Sequence, residues 1–189
     1  EVTAELQKSG ILPTIDHVNL FLTWGEVEGI VCSGIDKGKK TTYALLDERV
    51  PPTRELCREE ALVRLASRYF QSHSPAQLQD FVWWSGLTAT ECRLAINLIK
   101  AELMTETFDS REYFIHQSWK GKNESEPVLR LLPAFDEYLI SYKNRTDVLP
   151  LEHHPKAFNR FGTFYPVILY NGKIIGNWSR SIKKNTIQI

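Results

Sequence analysis

The stretch SPAQLQDFVWWSGLTATECRLAINLIKA, residues 74–101, decides the fold because it holds two helix starts in succession. Ser74 is a residue type favoured at the N-cap of a helix, and Pro75 suits the first helical position. This pair predicts a helix that runs to Ser85 and ends at Gly86, a residue type typical of helix C-termini.

A capping box starts the next helix. Thr88 is the cap and Glu91 follows three residues later, at the spacing that lets each side chain bond the other residue's main-chain N–H. This helix is predicted to reach about Ala101 and to bury Cys92, Ala95, Ile96 and Ile99. Upstream, residues 55–71 form a clear amphipathic helix, whose apolar face carries Leu62, Leu65, Ala66, Tyr69 and Phe70.

A hairpin follows the three helices. Residues 103–107 and 111–117 alternate enough to predict two strands around a turn at 108–110. Helix, helix, helix and hairpin is the order of a winged-helix module, in which a β-hairpin wing follows a helix-turn-helix. The sequence therefore predicts a complete module over residues 51–117.

The first fifty residues repeat most of this order. Helical patterns at 2–9 and 14–24 precede predicted strands at 29–35 and 41–46, joined by a charged loop that contains glycine, which is a hairpin signal. Because a first helix is missing, residues 1–50 are predicted to be the C-terminal part of another winged-helix module. The chain opens without methionine inside a patterned segment, so we expect a piece of a longer protein.

The last third is predicted to be β-rich. A polar linker is expected at 118–127, and a β-domain, expected to be incomplete, at 128–189. Within it we predict a strand at 128–132, a helix at 134–142, and strands at 164–170 and 173–182.

Asn171-Gly172 is the strongest hairpin signal in the chain, and the final run at 186–189 alternates like a strand, although we predict no partner for it within this sequence. The predicted fold class is α+β, with tandem winged-helix modules followed by part of a small C-terminal β-domain.

Composition excludes several classes of protein. The chain has 189 residues, 42% of them hydrophobic, which argues against disorder. No apolar run approaches the roughly 18 residues of a membrane span, and no secretory leader opens the chain, so we expect a cytoplasmic protein without a membrane partner. The three cysteines indicate neither a disulfide framework nor zinc, and each is expected to be a small buried residue: Cys32, Cys57 and Cys92.

Charge leaves nucleic-acid binding open. Lys plus Arg and Asp plus Glu number 23 each, a balance that counts mildly against a nucleic-acid binder. A local basic face is still compatible with it, because only the contacting patch must be positive.

The outward face of the helix at 88–101 is the candidate DNA reader. Opposite its buried residues it presents Arg93, Asn97 and Lys100, together with Thr90. Arg and Asn side chains bond bidentately to guanine and adenine edges, and in helix-turn-helix proteins this helix enters the major groove. Polar residues on an outer helix face are equally typical of a solvated surface, so both interpretations stay open.

The charged loop of the first hairpin is a candidate phosphate contact. It places Lys37, Lys39 and Lys40 at a hairpin tip, where the backbone of a bound duplex passes a wing. The alternative is a soluble turn that keeps an exposed strand edge from pairing. The second hairpin offers only Arg111, beside two carboxylates, which is poor chemistry for binding phosphate.

Two residue pairs in the helix predicted at 75–85 are candidates for catalysis or base binding. Gln77 and Gln79 are two apart, and such residues project about 200° from each other on a helix, so we expect them not to converge on one ligand atom. The size of Trp83 and Trp84 favours packing in the core or at a module interface over base stacking.

The other candidate metal and catalytic sites in the sequence are also excluded. His153 and His154 are adjacent and no third ligand is suitably spaced, so we predict no metal site. Asp136 and Glu137 are adjacent, and neighbouring side chains on a helix diverge, so we expect them not to form an acid/base pair. Asp136 is expected instead to cap the start of the helix. The sequence contains no Ser-His-Asp order, phosphate loop or dinucleotide fingerprint, and we therefore predict no catalytic residue and no cofactor.

Residues 131–145, LLPAFDEYLISYKNR, mix acidic, aromatic and basic side chains. Tyr138 and Tyr142 are predicted to share a helical face that packs against the neighbouring module. Lys143 and Arg145, at the basic end of the stretch, are candidate phosphate contacts.

Several longer motifs together resemble one family. The motifs are 28–34 (EGIVCSG), 42–51 (TYALLDERVP), 80–87 (DFVWWSGL), 131–139 (LLPAFDEYL) with Arg145, 161–167 (FGTFYPV) and 176–178 (GNW). They resemble the bacterial tandem winged-helix proteins related to the azinomycin-resistance DNA glycosylase and its interstrand-crosslink-unhooking relatives. The resemblance runs over nearly the whole chain.

The resemblance implies three winged-helix units and a C-terminal β-domain in a full-length protein, of which this chain would hold the end of one unit, one whole unit and part of the β-domain. It places the glycosylases' catalytic Gln-x-Gln or Gln-x-Asp motif near the start of the full protein. Gln77-Leu78-Gln79 matches its letters but not its position, so no catalytic residue is carried over.

The sequence thus predicts that this chain binds double-stranded DNA without a small-molecule cofactor. A further hypothesis makes it the non-catalytic part of a DNA-repair glycosylase that acts on alkylated bases. Membership of the family does not by itself imply an enzyme, because many members are known only as DNA-binding proteins. The rival is a structural or protein-interaction scaffold without DNA binding, which the neutral net charge and the weak second hairpin favour.

Overall fold

The computed structural model describes residues 2–11, 14–52, 54–121, 127–183 and 186–189. The chain divides into two compact units, Glu1–Glu55 and Leu56–Ile189. The three predicted domain boundaries stay a prediction.

The first unit has the predicted order of two helices and a hairpin. Its elements are α1 (Val2–Lys8), α2 (Ile15–Val27), β1 (Val31–Ser33), β2 (Tyr43–Leu45) and the short helix α3 (Leu46–Arg49). The hydroxyl of Thr14 caps α2 by accepting the main-chain N–H of His17 at 3.3 Å. The two strands pair antiparallel, with Cys32 opposite Ala44, and each has only three residues, so the hairpin is shorter than predicted.

The second unit opens with three helices and a hairpin, as predicted. They are α4 (Arg58–His73), α5 (Leu78–Ser85), α6 (Ala89–Leu98), β3 (Leu103–Phe108) and β4 (Arg111–His116), with a short 3-10 helix at Lys100–Glu102. We call residues 58–116 the helix–hairpin module. Its core consists of Leu62, Ala66, Tyr69, Phe70, Ala76, Phe81, Cys92, Ala95, Ile96 and Ile99. The predicted buried faces of α4 and α6 are therefore confirmed, with Leu65 packed at the edge of this core.

The predicted start of α5 at Ser74 and Pro75 was wrong. The helix begins at Leu78, because the chain before it pairs with the hairpin. Ala76 exchanges two main-chain hydrogen bonds with Phe114 of β4, at 3.1 and 2.8 Å. Such a bridge joins residues far apart in sequence, and local residue preferences do not reveal it.

The rest of the second unit holds a small antiparallel sheet. Its elements are β5 (Leu129–Leu132), α7 (Glu137–Ile140), α8 (His154–Ala157), β6 (Val167–Tyr170) and β7 (Lys173–Asn177), and the sheet order is β5-β6-β7. Asn171 and Gly172 form the predicted turn between β6 and β7, with φ of 44° and 78°. Asp136 caps α7 as predicted, since its carboxylate accepts the N–H of Tyr138 at 2.9 Å. A second core fills this part: Leu139, Leu149, Ala157, Phe164, Val167 and Ile174.

The prediction that the final strand lacks a partner was wrong. The predicted long strand at 173–182 is interrupted after β7, and β8 (Ser181–Lys183) pairs antiparallel with β9 (Thr186–Gln188). Ile182 lies opposite Ile187 in this strand pair. Alternation identifies a strand but not its partner, which is why the sequence missed the pairing.

The mixture of helices and small sheets confirms the α+β class. Among the described residues, no helix is long and apolar enough to cross a membrane. The expectation that all three cysteines are buried holds only for Cys92, since Cys32 is half-buried and Cys57 is exposed. Cys57 precedes α4 as its N-cap, and its main-chain N–H donates to Glu60 at 3.2 Å.

Candidate nucleic-acid interface

The start of α6 is held by the predicted capping box. Thr88 Oγ1 accepts the N–H of Glu91 at 3.2 Å, and the Glu91 carboxylate accepts the N–H of Thr88 at 3.1 Å. The guanidinium of Arg58 donates to the same carboxylate. The bond from Arg58, followed by those from Thr88, lowers the pKa of Glu91 to about 2. These contacts fix where α6 begins and how its faces are oriented.

The outer face of α6 carries the predicted candidate residues. Arg93, Asn97 and Lys100 are all exposed, with Lys100 in the 3-10 helix that follows. Leu94 and Leu98 share this exposed side and are 42% and 39% exposed. The face is therefore mixed, since two cations and an amide lie beside two leucines.

A residue from outside the module joins this face. The main-chain N–H of Lys143 donates to Asp80 Oδ1 at 2.8 Å, and its ammonium lies 4.4 Å from the ring centroid of Trp83. Asp80 is only 3% exposed, and its other oxygen accepts the N–H of Gln77 at 2.9 Å. One buried carboxylate thus ties the segment after α7 to the first turn of α5, and this places Lys143 beside the module.

Arg93 and Lys143 border one shallow hollow. The hollow has a volume of about 330 Å³, and its other lining residues are Leu78, Gln79, Val82, Trp83 and Ala89. We call it the α5–α6 hollow. The structure thus brings together two predicted DNA contacts that lie fifty residues apart in the sequence.

Arg145 is engaged inside the β-rich part. It is half-buried, and its guanidinium donates to the carbonyl groups of Leu139 and Ile140. Its central carbon lies 5.2 Å from the ring centroids of both Phe158 and Phe164. Burial lowers the pKa of the Arg145 guanidinium from its ordinary value. A phosphate contact by Arg145 stays a prediction, whereas its contacts with the fold are direct.

The three lysines of the first hairpin lie at an exposed tip in the first unit. Lys37, Lys39 and Lys40 are all exposed. The main chains of Lys37 and Lys40 exchange hydrogen bonds of 3.0 and 3.2 Å across a turn in which Gly38 has φ of 66°. Positive φ favours glycine at this position. The predicted cluster of ammonium groups at a hairpin tip is therefore present in the structure.

Arg111 of the second hairpin is paired. Its two terminal nitrogens donate to the two oxygens of Asp147 at 3.0 and 2.9 Å, and Tyr113 donates to the same carboxylate at 3.3 Å. The bond from Arg111 is the main reason why the pKa of Asp147 is lowered. This pair joins β4 to the segment after α7, which agrees with the weak phosphate chemistry predicted for this hairpin.

The helical geometry predicted for Gln77 and Gln79 was wrong, whereas the prediction that they do not converge on one ligand atom stays a prediction. The amide of Gln79 donates to Gln77 Oε1 at 2.9 Å. The two side chains meet because Gln77 is the N-cap of α5 and has extended backbone angles, φ −94° and ψ 162°, so that helical spacing does not apply to it. Gln77 lines a separate polar cleft with Asp80, whereas Gln79 lines the α5–α6 hollow.

The two tyrosines of the 131–145 stretch do not share a helical face, because α7 ends at Ile140. Tyr142 donates to the carbonyl of His73 at 3.1 Å and so packs against the helix–hairpin module, as predicted. Tyr138 donates instead to the carbonyl of Gly172 at 2.9 Å, within the β-rich part, and for this residue the prediction was wrong.

The tryptophan pair packs as predicted. The indole N–H of Trp83 donates to the carbonyl of Ile140 at 2.8 Å, across the boundary between the module and the β-rich part. The ring of Trp84 lies 5.0 Å from that of Tyr69 in the module. Trp83 is nevertheless 47% exposed, so one part of its ring remains accessible at the hollow.

The histidine pair has structural contacts. His154 Nε2 lies 3.2 Å from the carbonyl oxygen of Leu149, and its ring is tilted by 49° to that of Phe158 at a centroid distance of 5.0 Å. Within the described ranges, no three His, Cys, Asp or Glu side chains are grouped to hold a metal ion.

Sequence reasoning missed Gln79 and Ala89 as lining residues of the hollow. Both lie in the predicted helical stretch, but Lys143 borders the hollow only because the segment around it packs beside α5. The local sequence holds no signal for that contact.

Comparisons with known proteins agree with the resemblance. The family described as DNA glycosylase AlkZ-like matches residues 7–188. An interstrand DNA cross-link repair glycosylase of Streptomyces sahachiroi is 25% identical over 170 residues, which covers 82% of this chain and 46% of that protein. In fold, the chain resembles the solved Streptomyces sahachiroi DNA glycosylase AlkZ with a TM-score of 0.71 at 21% identity, covering 90% of this chain and 50% of that one.

The chain thus spans about half the length of these relatives. The family match extends over almost every residue of the chain, and the predicted resemblance is confirmed. On that match, the chain belongs to the AlkZ-like DNA glycosylase family.

Proposed function

We propose that this chain binds duplex DNA, and that α6 and Lys143 provide the main contact. The observation that carries the proposal is the meeting of Arg93 and Lys143 at one hollow, beside the exposed Asn97 and Lys100. These four side chains form a local cationic face on a chain whose formal net charge is zero. Such a face is enough for duplex binding, because only the surface that contacts the phosphates must be positive.

The residue types on this face suit two kinds of contact. Arg93 and Asn97 are four residues apart on one side of α6, and their side chains can bond base edges in the major groove. Lys100 and Lys143 are exposed point charges that suit phosphates on either side. In this proposal the helix–hairpin module is a winged helix, and α6 is its reading helix.

The first unit adds a second contact in the same proposal. Its helices and hairpin correspond to a winged helix without its first helix, and the tip carries Lys37, Lys39 and Lys40. These lysines bind backbone phosphate without regard to sequence.

The family sets the context of this activity. The relative that matches over 82% of this chain is named as a cross-link repair glycosylase, and the chain spans less than half of it. We therefore propose that this chain holds the DNA in a repair protein of the glycosylase type, and we assign no catalytic group to it.

The test is a titration of a labelled duplex followed by fluorescence anisotropy. We expect Arg93→Ala to weaken binding by about 5- to 150-fold, which corresponds to about 1–3 kcal/mol for a bidentate base contact. Lys143→Ala should weaken binding to every sequence and lower the slope of log affinity against log salt by about 1.

Two variants in the β-rich part are matched controls. Arg160→Ala and Lys156→Ala remove the same charges from exposed positions that do not line the α5–α6 hollow. If the control variants weaken binding as much as Arg93→Ala and Lys143→Ala do, the contact is general attraction and not this face.

Protein interaction is the second candidate function. The observation that favours it is the exposure of Leu94 and Leu98 on α6, since apolar side chains add little to phosphate binding. Absence of duplex binding at roughly 50 mM salt, where electrostatic attraction to DNA is strong, would support this scaffold role over our proposal.

A further inference from the structure

The α5–α6 hollow has an apolar floor. Leu78 and Val82 contribute from one side of α5, and Ala89 contributes from the first turn of α6. Ala89 is exposed, and its small side chain leaves the hollow open at that end. Its volume of about 330 Å³ lies at the lower end of the range for sites that hold a small molecule.

The rim of the hollow is polar and cationic. Arg93 and Lys143 border it, and the exposed Gln79 has an amide that already donates to Gln77. Trp83 forms an aromatic wall, and its ring holds the Lys143 ammonium at 4.4 Å. The rim therefore combines two positive charges, an amide and the side of an indole around an apolar floor.

These features exceed what a duplex backbone requires. A phosphate on a duplex is bound by cationic and polar side chains and by main-chain N–H groups, and an apolar floor adds nothing to that contact. A single base has apolar faces, a hydrogen-bonding edge and an adjoining phosphate. Those three parts match the floor, the amide and the two cations of this hollow.

We propose that the α5–α6 hollow binds one unstacked nucleotide of a DNA strand. The base lies on Leu78 and Val82 with its edge toward Gln79, and the adjoining phosphate lies between Arg93 and Lys143. This inference rests on the proposed DNA binding and deepens it, because it names the form of DNA that this face prefers.

A preference for DNA with an unpaired nucleotide follows. Taking a base out of a paired duplex costs a few kcal/mol, and that cost is smallest where the base is already unpaired. Stacking of a base on an aromatic side chain contributes about 1–3 kcal/mol, and we expect contact with the aliphatic floor beside Trp83 to contribute at the lower end of that range. We therefore expect a duplex with one bulged nucleotide to bind about tenfold more tightly than the fully paired duplex.

The experiment measures the ratio of these two affinities by fluorescence anisotropy. Ala89→Leu fills the floor from an exposed position, and we expect it to reduce the ratio to about one. Ala101→Leu is the matched control, because Ala101 is also exposed and does not line the hollow. Gln79→Met, which keeps the length of the side chain and removes the amide, should lower the ratio partially. Far-UV circular dichroism confirms that each variant is folded.

The outcomes separate this inference from the proposed function. If paired DNA binds but the wild-type ratio is near one, or the ratio survives Ala89→Leu, the nucleotide site is overturned and duplex binding stands. If only bulged DNA binds and Ala89→Leu abolishes that binding, the site stands and duplex binding is overturned. If neither DNA binds, both are overturned.

Discussion

Removing the carboxylate of Asp80 is expected to destabilise the second unit more than any surface change. Asp80 is 3% exposed and accepts two main-chain hydrogen bonds, from Gln77 at 2.9 Å and from Lys143 at 2.8 Å. The first bond caps α5, and the second attaches the segment that carries Lys143. Asp80→Ala leaves both donors without their acceptor.

The magnitude follows from the burial of these two donors. A buried donor left unpaired costs about 1–3 kcal/mol. Gln77 is buried and its N–H carries the larger share, whereas the N–H of Lys143 is only partly buried and carries less. The expected loss is about 3 kcal/mol for Asp80→Ala, and about half of that for Asp80→Asn, since the amide keeps one acceptor oxygen.

Urea unfolding of the full chain, followed by tryptophan fluorescence and circular dichroism, measures this loss. With a slope of about 2 kcal/mol per molar urea, Asp80→Ala should lower the unfolding midpoint by about 1.5 M. Asp109→Asn is the control, because Asp109 lies in an exposed turn with φ of 47°, a conformation that asparagine tolerates. A shift below about 0.3 M for Asp80→Ala would refute the argument that this carboxylate joins the two parts.

Three further predictions concern charged side chains. Because the pKa of Glu91 is lowered, the contribution of its carboxylate to stability is complete above pH 4.5 and is lost as the pH falls toward about 2. In Arg58→Gln, a carboxyl NMR titration should show the titration midpoint of Glu91 rising toward 4.5. An unchanged midpoint would rule out Arg58 as the main cause of the lowered pKa. Replacing the three lysines of the 36–40 loop with alanine should weaken binding to all duplexes and lower the salt slope, and unchanged affinity at low salt would remove the tip from the interface. Arg111→Gln should leave the salt slope unchanged, because its guanidinium is held by Asp147; a slope lower by about 1 in the same titrations would show that Arg111 reaches phosphate.

Local signals in the sequence predicted the α6 face correctly. The capping box at Thr88 and Glu91 marks the start of the helix, and the 3.6-residue period then determines which side chains are buried. Arg93 and Asn97 are exposed for that reason alone. The Asn171 turn was predictable on similar grounds, since its backbone angles follow from its residue types.

Contacts between distant segments were not predictable in this way. The start of α5 depends on the pairing of Ala76 with a strand almost forty residues later, and the error there also produced the wrong geometry for Gln77 and Gln79. The sequence indicates Lys143 as a candidate phosphate contact, but its position beside Arg93 depends on the hydrogen bond to Asp80. A pattern within one helix carries no information about such a partner.

Chemical-shift mapping with the isotope-labelled chain and a short duplex tests the central claim most directly. If α6 and Lys143 form the interface, the largest shifts on adding DNA will cluster at residues 89–100 and around 143, and the shifts will shrink as salt is raised. The account would be contradicted if DNA binds but the largest chemical-shift changes of the protein fall elsewhere in the chain and the signals of residues 89–100 do not move.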